Sequence, residues 1–361
     1  MKSRTAKYGF INAKLRAGIE KLFTKQFFLS LLNADSIDQL IEMLRNTPYR
    51  EASEIYSSTG SLDDFERRVY SEGVYTIKGI LRHVSDDVAH IVRALLLKYE
   101  IENIKYALRR LSYLVRSAGS LFEKGFIENG IYLNEEMVHR INWQELIQSE
   151  SIDEMIRTLK NTPYQEILNV QLAETTEMKS TFDLEVALDR YYYSNLLTAI
   201  RELEPFDREI ASRIIGIRID IENIRTLIRI KRYYRDVVSD PGKVFIRGGS
   251  RITDKIFVSG LESDVFPGPM AESKQASVYF LDTEKHVDIS RTPPSTLELL
   301  EVTIRKIFIR EARKPLSGYP FTIGVILAFI FLKIEEIENL MAVTYAKAYS
   351  MDEVKVKAIF S

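Results

Sequence analysis

Residues 36–51 read SIDQLIEMLRNTPYRE, and residues 151–166 read SIDEMIRTLKNTPYQE. The two segments are identical at ten of sixteen positions and lie 115 residues apart, so we interpret them as copies of one unit. In each copy a serine that can cap a helix is followed by apolar residues at helical spacing, with Gln or Glu three residues after the serine. Pro48 and Pro163 end this helix and are suited to begin the next one. The stretch predicts a repeated pair of short helices.

A second motif recurs three times in the chain. Ile-Glu-Asn-Ile stands at residues 101–104 and 221–224, and Ile-Glu-Asn-Leu stands at residues 337–340, at offsets of 120 and 116. Each copy lies in an apolar helical stripe, with the asparagine on the flank of the stripe. Asparagine is a modest helix former, so its recurrence predicts a side-chain hydrogen bond to a neighbouring helix or loop. We therefore interpret these asparagines as structural, with ligand binding as the alternative. They are Asn103, Asn223 and Asn339.

The shared period of about 118 residues predicts three tandem helical domains. Their expected ranges are 1–118, 119–238 and 239–361. A weaker alignment of residues 130–135 with residues 249–254, at an offset of 119, supports this division. The third copy has diverged, because no Asn-Thr-Pro-Tyr occurs near residues 265–280, and we expect an irregular loop there. Alternating β-branched runs are nearly absent, so the predicted fold class is all-α.

Composition excludes several classes of protein. The 361 residues include 50 Lys and Arg against 51 Asp and Glu, and this balance is not typical of a nucleic-acid or anionic-membrane binder. The chain has no cysteine, which rules out disulfides, cysteine zinc ligands and cysteine nucleophiles. The longest apolar run, residues 321–332, is shorter than the about 20 residues that a bilayer span needs. We expect a buried or partner-facing helix there and no transmembrane segment.

Candidate sites for chemistry are weak. His83 and His90 lie two turns apart without an acidic or histidine partner at ligand spacing. The glycine-rich residues 248–250 lack the Lys-Ser/Thr ending of a phosphate loop and are interpreted as a turn. Basic clusters within residues 105–116 and 225–235 are diluted by acidic neighbours, which favours a solvated or partner-facing helix over nucleic acid. We therefore predict no catalytic residue, no metal site and no cofactor.

Two proline corners are possible partner contacts. Each places an aromatic ring at a stiff turn, and tyrosine is favoured at protein interfaces because it buries area and keeps a polar tip. The alternative is that both tyrosines pack inside their own domains. The residues concerned are Thr47, Pro48 and Tyr49 at the first corner and Thr162, Pro163 and Tyr164 at the second.

Four motifs in this order resemble one known family. Residues 8–16 read YGFINAKLR, the two copies of Leu-[Arg/Lys]-Asn-Thr-Pro-Tyr follow, residues 184–192 read LEVALDRYY, and residues 333–340 read KIEEIENL. The set is similar to the C subunit of archaeal and bacterial A/V-type ATP synthases, the counterpart of the d subunit in eukaryotic V-ATPases. The chain departs from the family pattern at Ile334, Ala346 and Ser350, where a glutamate and glycines are expected.

The resemblance implies a funnel of three helical domains around a pseudo-threefold axis. It also implies a non-catalytic, peripheral subunit at the cytoplasmic face of the membrane. Such a subunit joins the central shaft to the proteolipid ring of a proton- or sodium-translocating complex, transmits torque, and holds no nucleotide or metal. The alternative is an α-helical repeat scaffold that binds other proteins. A helical nucleic-acid-binding protein is a more distant alternative.

Overall fold

The computed structural model describes residues 3–116, 133–174, 181–233, 241–263, 265–280, 286–287, 294–351 and 356–357. The chain divides into two compact units, one of residues 1–169 with 320–361 and one of residues 170–319. The regular structure is almost entirely helical, which confirms the all-α fold class. Within the described ranges, the strands β1 (Phe266–Pro267) and β2 (His286–Val287) form a short antiparallel pair, with Phe266 opposite Val287.

The described residues form sixteen α-helices. They are α1 (Arg4–Glu20), α2 (Lys25–Leu32), α3 (Ile37–Met43), α4 (Arg50–Thr59), α5 (Leu62–Ile80), α6 (Asp86–Arg116), α7 (Trp143–Gln148), α8 (Ile152–Thr158), α9 (Pro163–Glu174), α10 (Phe182–Glu202), α11 (Pro205–Tyr233), α12 (Pro241–Val244), α13 (Asp254–Glu262), α14 (Pro269–Glu272), α15 (Pro294–Arg313) and α16 (Ile323–Ala348). Single 3-10 turns occupy Leu81–His83, Ser277–Tyr279 and Lys314–Ser317.

The repeated segment folds as its capping pattern predicts. Ser36 and Ser151 each accept a hydrogen bond from the backbone N–H three residues later, at 3.2 Å in both copies. The side chain of Glu154 accepts in return from the N–H of Glu150, at 2.8 Å. Helix α9 begins at Pro163, as expected, whereas α4 begins only at Arg50. The expected start at Pro48 is therefore wrong by two residues, because Thr47 and Pro48 form a separate turn in which Thr47 Oγ1 accepts from the N–H of Tyr49.

Helix α16 is the buried centre of the first unit. The apolar run predicted from the sequence continues into it, and all residues from 323 to 333 are buried. Helices α1, α2, α3 and α5 pack against α16. Gly73 allows α5 to approach closely, since a Cβ there would lie 2.5 Å from Ile337 Cδ1. In the described ranges, every helix is too short or too polar to cross a bilayer.

The second unit is organised around α11. Helices α10, α13 and α15 contact it. The stretch near residues 265–280, expected to be an irregular loop, instead holds the short helix α14 and a 3-10 turn. That expectation was wrong in part, because Pro269 stands at the first position of α14, where its fixed φ favours a helix start.

Candidate functional site

Each of the three longest helices carries a buried carboxylate directly before its Ile-Glu-Asn motif. A buried carboxylate is costly unless hydrogen-bond donors satisfy it. In all three cases one donor is a buried tyrosine hydroxyl, at 2.7 Å from the carboxylate oxygen. We call these tyrosine–carboxylate pairs, in the order of their tyrosines: Tyr49 with Glu336 of α16, Tyr164 with Glu100 of α6, and Tyr279 with Asp220 of α11.

The first pair joins helix α16 to the N-terminal part of the first unit. Tyr49 donates to Glu336 Oε1, and the backbone N–H of Phe23 donates to Glu336 Oε2 at 2.6 Å. Lys333 Nζ donates to Glu336 Oε1 at 2.8 Å and to the Tyr49 hydroxyl oxygen at 3.0 Å. Burial raises the pKa of Tyr49 well above its ordinary value, and Glu336 raises it further. The phenol therefore stays neutral and acts as the donor.

The second pair uses histidine where the first uses lysine. Tyr164 donates to Glu100 Oε2, and the N–H groups of Val138 and His139 donate to Glu100 Oε1 at 2.7 and 2.6 Å. His139 Nδ1 lies 2.7 Å from Glu100 Oε2, and the ring packs edge-on against Tyr164. Four groups on the chain after α6 thus converge on one carboxylate of α6.

The third pair joins the tyrosine of the diverged copy to an aspartate of α11. Tyr279 and the N–H of Arg251 donate to Asp220 Oδ2 at 2.7 and 2.8 Å, and the N–H of Ile252 donates to Oδ1 at 2.9 Å. A Cβ on Gly249 would lie 2.2 Å from Asp220 Oδ1, so this turn requires glycine. The glycine-rich turn of residues 248–250 therefore closes over a carboxylate of its own chain rather than over a phosphate.

Two asparagines of the repeated motif bond the same stretches of chain as the carboxylates that stand three residues before them. Asn103 Nδ2 donates to the carbonyl of Leu133 at 2.7 Å, and the N–H of Leu133 donates to Asn103 Oδ1 at 2.9 Å. Asn223 makes the same two bonds to Ile246, at 2.8 and 2.9 Å. Both asparagines are fully buried, which supports the structural interpretation over ligand binding. Asn339 is buried as well, and its Nδ2 lies 3.4 Å from Glu335 Oε1.

These bonds correct one sequence alignment. The bonded partners Leu133 and Ile246 are 113 residues apart, as are the paired donors His139 and Ile252. The alignment of residues 130–135 with 249–254 at an offset of 119 was therefore wrong by six residues. It followed a short likeness in sequence, whereas the equivalent positions are those that bond equivalent helix residues.

The proline corners do not present their aromatic rings. Tyr49 and Tyr164 are buried because their hydroxyls reach Glu336 and Glu100. The hydroxyls of Thr47 and Thr162 donate to carbonyls three residues earlier, which holds each turn locally. At the first corner Pro48 is exposed, and at the second Thr162 and Pro163 are half-buried. Any partner contact at the corners therefore falls to the prolines rather than to the tyrosines.

The other predicted candidates serve separate local contacts. His83 Nε2 lies 2.9 Å from Lys14 Nζ, and the described residues contain no group of three or more side chains suited to a metal ion. From the basic clusters, Arg110 donates to the carbonyls of Ile147 and Ser149 at the end of α7. Basic side chains are favoured at helix C-termini, where carbonyls lack partners. The side chain of Arg116 and all of Arg235 lie outside the described residues.

Sequence reasoning missed the carboxylate of all three tyrosine–carboxylate pairs and the tyrosine of the third. The signal was present, because extending the repeated motif by one residue gives [Glu/Asp]-Ile-Glu-Asn in all three copies. The third tyrosine was visible too, since Tyr49, Tyr164 and Tyr279 are spaced by 115 residues each. The missed residues are Glu100, Asp220, Glu336 and Tyr279.

Comparison with known proteins matches residues 11–359 to the family model described as ATP synthase (C/AC39) subunit. The chain belongs to this family. Three relatives, each the C subunit of an A-type ATP synthase, illustrate the similarity. The protein of Methanococcoides burtonii is 24% identical over 97% of this chain and 92% of its own length. That of Methanocaldococcus jannaschii is 23% identical over 98% and 86%, and that of Methanosphaera stadtmanae is 26% identical over 94% and 84%. The resemblance seen in the motifs is confirmed.

The pairs of this C/AC39 family member should contribute measurably to stability. Tyr49→Phe, Tyr164→Phe and Tyr279→Phe should each lower the free energy of unfolding by about 1–3 kcal/mol, because each leaves a buried carboxylate short of one donor. Urea denaturation measures this change. The control is Tyr75→Phe, whose hydroxyl meets Glu135 at an exposed position and whose loss should cost less than about 0.5 kcal/mol. Equal, small effects in all four variants would refute a structural role for the pairs.

The buried asparagines should behave as structural residues. Asn223→Ala should lower the free energy of unfolding by about 1–3 kcal/mol, since it leaves the backbone N–H and C=O of Ile246 without a partner. Asn169→Ala, at an exposed position of α9, is the matched control and should be neutral. If Asn223→Ala keeps its stability but abolishes ATP-driven ion transport in the assembled complex, the residue is functional instead.

The third pair should make stability depend on pH. Burial raises the pKa of Asp220 from 3.8 to about 6, against the opposing effects of Tyr279 and the backbone donors. The folded state therefore binds the Asp220 proton more tightly than the unfolded state. The contribution of Asp220 is most favourable below about pH 4 and is lost as the pH rises through about 6, by roughly 3 kcal/mol.

The difference in unfolding free energy between the wild type and Asp220→Asn, followed from pH 4 to pH 7, measures this effect. The wild type should lose stability relative to the variant over this range. A difference that does not change with pH would contradict the assignment.

Proposed function

We propose that this chain is the non-catalytic adaptor in the central stalk of a proton- or sodium-translocating A/V-type ATP synthase or ATPase. In this role it is a peripheral subunit at the cytoplasmic face of the membrane, where it joins the central shaft to the proteolipid ring and transmits torque. Membership of the ATP synthase (C/AC39) subunit family supports a place in such a complex. The structural observation that carries the proposal is the threefold recurrence of the tyrosine–carboxylate pair.

A coupling subunit must resist twisting, and the pairs are suited to this. In each pair, one carboxylate on a long helix accepts from a tyrosine and from backbone N–H groups of a segment distant in sequence. Fully satisfied buried polar networks make a fold rigid, because any shift leaves a group unpaired at low dielectric. Each of the three networks joins a carboxylate of one expected domain to a tyrosine of another. We propose that three similar load-bearing domains, with the ranges 1–118, 119–238 and 239–361, lie around a pseudo-threefold axis.

The first test removes and restores the chain. Membranes depleted of this subunit should keep ATP hydrolysis in the catalytic head but lose ATP-driven ion transport, and added purified chain should restore transport. Tagged chain should also co-purify shaft and ring subunits from native membranes. Transport that does not depend on the chain would overturn the proposal, as would ATP turnover that tracks with the purified chain. Capture of soluble proteins without any ATPase subunit would favour the repeat-scaffold alternative.

The proline corners remain proposed contacts with the shaft or the ring, now through their prolines. Pro48 is exposed, so Pro48→Asp changes the surface without removing a buried group. A Pro48→Asp variant with an unchanged melting temperature should fail to restore ion transport to depleted membranes. Full restoration by this variant would remove the first corner from the interface.

A further inference from the structure

Helix α15 carries the densest basic stretch that the assigned contacts leave unexplained. Residues 305–314 read RKIFIREARK, with five basic residues and one acidic residue, a local charge of +4. The whole chain has a formal net charge of −1, so the overall balance conceals this asymmetry. We propose that the outer face of α15 binds the headgroups of anionic lipids.

The helix separates its apolar and basic residues onto two faces. Ile304, Phe308 and Ala312, spaced by four residues, are buried in the second unit. Lys306, Arg310 and Arg313 are exposed and follow one another at helical spacing on the opposite face. At 1.5 Å of rise per residue this row is about 10 Å long. Exposed Lys314 continues it into the next turn.

Part of this positive charge has no ion-pair partner among the described residues. Lys314 pairs with Glu311 across one helical turn at an exposed position. Arg310 and Arg313, by contrast, form no ion pair within the part of the chain that the structure describes. A guanidinium presents a planar fork of donors that matches phosphate oxygens. Two such groups on one exposed row therefore make an anion-binding surface.

The residue types favour a lipid surface over a protein partner. A protein interface draws its affinity from a buried core of aromatic and apolar side chains, and it is depleted in lysine. No large apolar residue described between 302 and 318 is exposed, so this face lacks such a core. Headgroup binding needs charge alone, with each surface cation worth about a fivefold gain in partitioning. Tyr319, half exposed just beyond the row, has the amphipathic ring that settles at headgroup depth.

Vesicle co-sedimentation of the purified full chain tests this proposal without any ATPase present. The chain should bind vesicles of phosphatidylcholine mixed with phosphatidylglycerol and should not bind phosphatidylcholine alone. Arg310→Gln/Arg313→Gln should reduce binding by about 25-fold. The matched control, Arg45→Gln/Arg50→Gln, removes the same charge from exposed positions of the first unit that already pair with glutamates, and should bind as the wild type does.

Three results would overturn the proposal. They are absence of binding to the anionic vesicles, equal losses in both double variants, and unchanged vesicle binding by a double α15 variant that instead fails to capture a shaft subunit or DNA. The last result would assign the row to a protein or a nucleic acid. Because the vesicles contain only lipid, each result stands whether or not the chain couples ATP hydrolysis to ion transport.

Discussion

A carboxylate buried on a long helix constrains much of this fold. Removing it from water is costly, and the cost is offset only when its oxygens accept from several donors at once. The sequence supplies these donors from a different part of the chain in each case: a buried tyrosine and one or two backbone N–H groups. The same arrangement recurs on α6, α11 and α16. The need of each carboxylate for donors thus fixes where three segments distant in sequence pack.

The side chains beside each carboxylate differ among the three pairs. Glu336 has Lys333 beside it, and Glu100 has His139. Asp220 accepts from backbone groups and one phenol, and burial outweighs these donors in raising the pKa of the acid. Equivalent positions in the repeat thus keep the tyrosine contact, while the side chains around the carboxylate differ. The diverged third copy preserves its tyrosine even though the surrounding Asn-Thr-Pro sequence is gone.

Much of the secondary structure followed from the sequence, because caps, prolines and helical spacing act locally. The serine caps and the burial of α16 were accessible in this way. The pairing was not, because a glutamate within a helix looks like any solvated glutamate until its tertiary neighbour is known. Glu336 meets Tyr49 across 287 positions of sequence, and the repeat spacing does not show which tyrosine meets which carboxylate. The alignment of residues 130–135 was misplaced for a similar reason, since a short likeness in sequence does not show which positions make equivalent contacts.

The closure of the chain on α16 has a consequence for biosynthesis. The core formed by α2 to α5 is completed by Ile337, Leu340 and Met341, which are synthesised more than 250 residues after the end of α5. Until then the apolar faces around Phe65 and Val69 have no permanent cover, although domains generally fold from the N-terminus as they emerge. A nascent chain therefore keeps this apolar surface without its α16 cover while the intervening residues are synthesised. A chain truncated before α16 would keep the same apolar faces exposed, and exposed apolar surface favours aggregation.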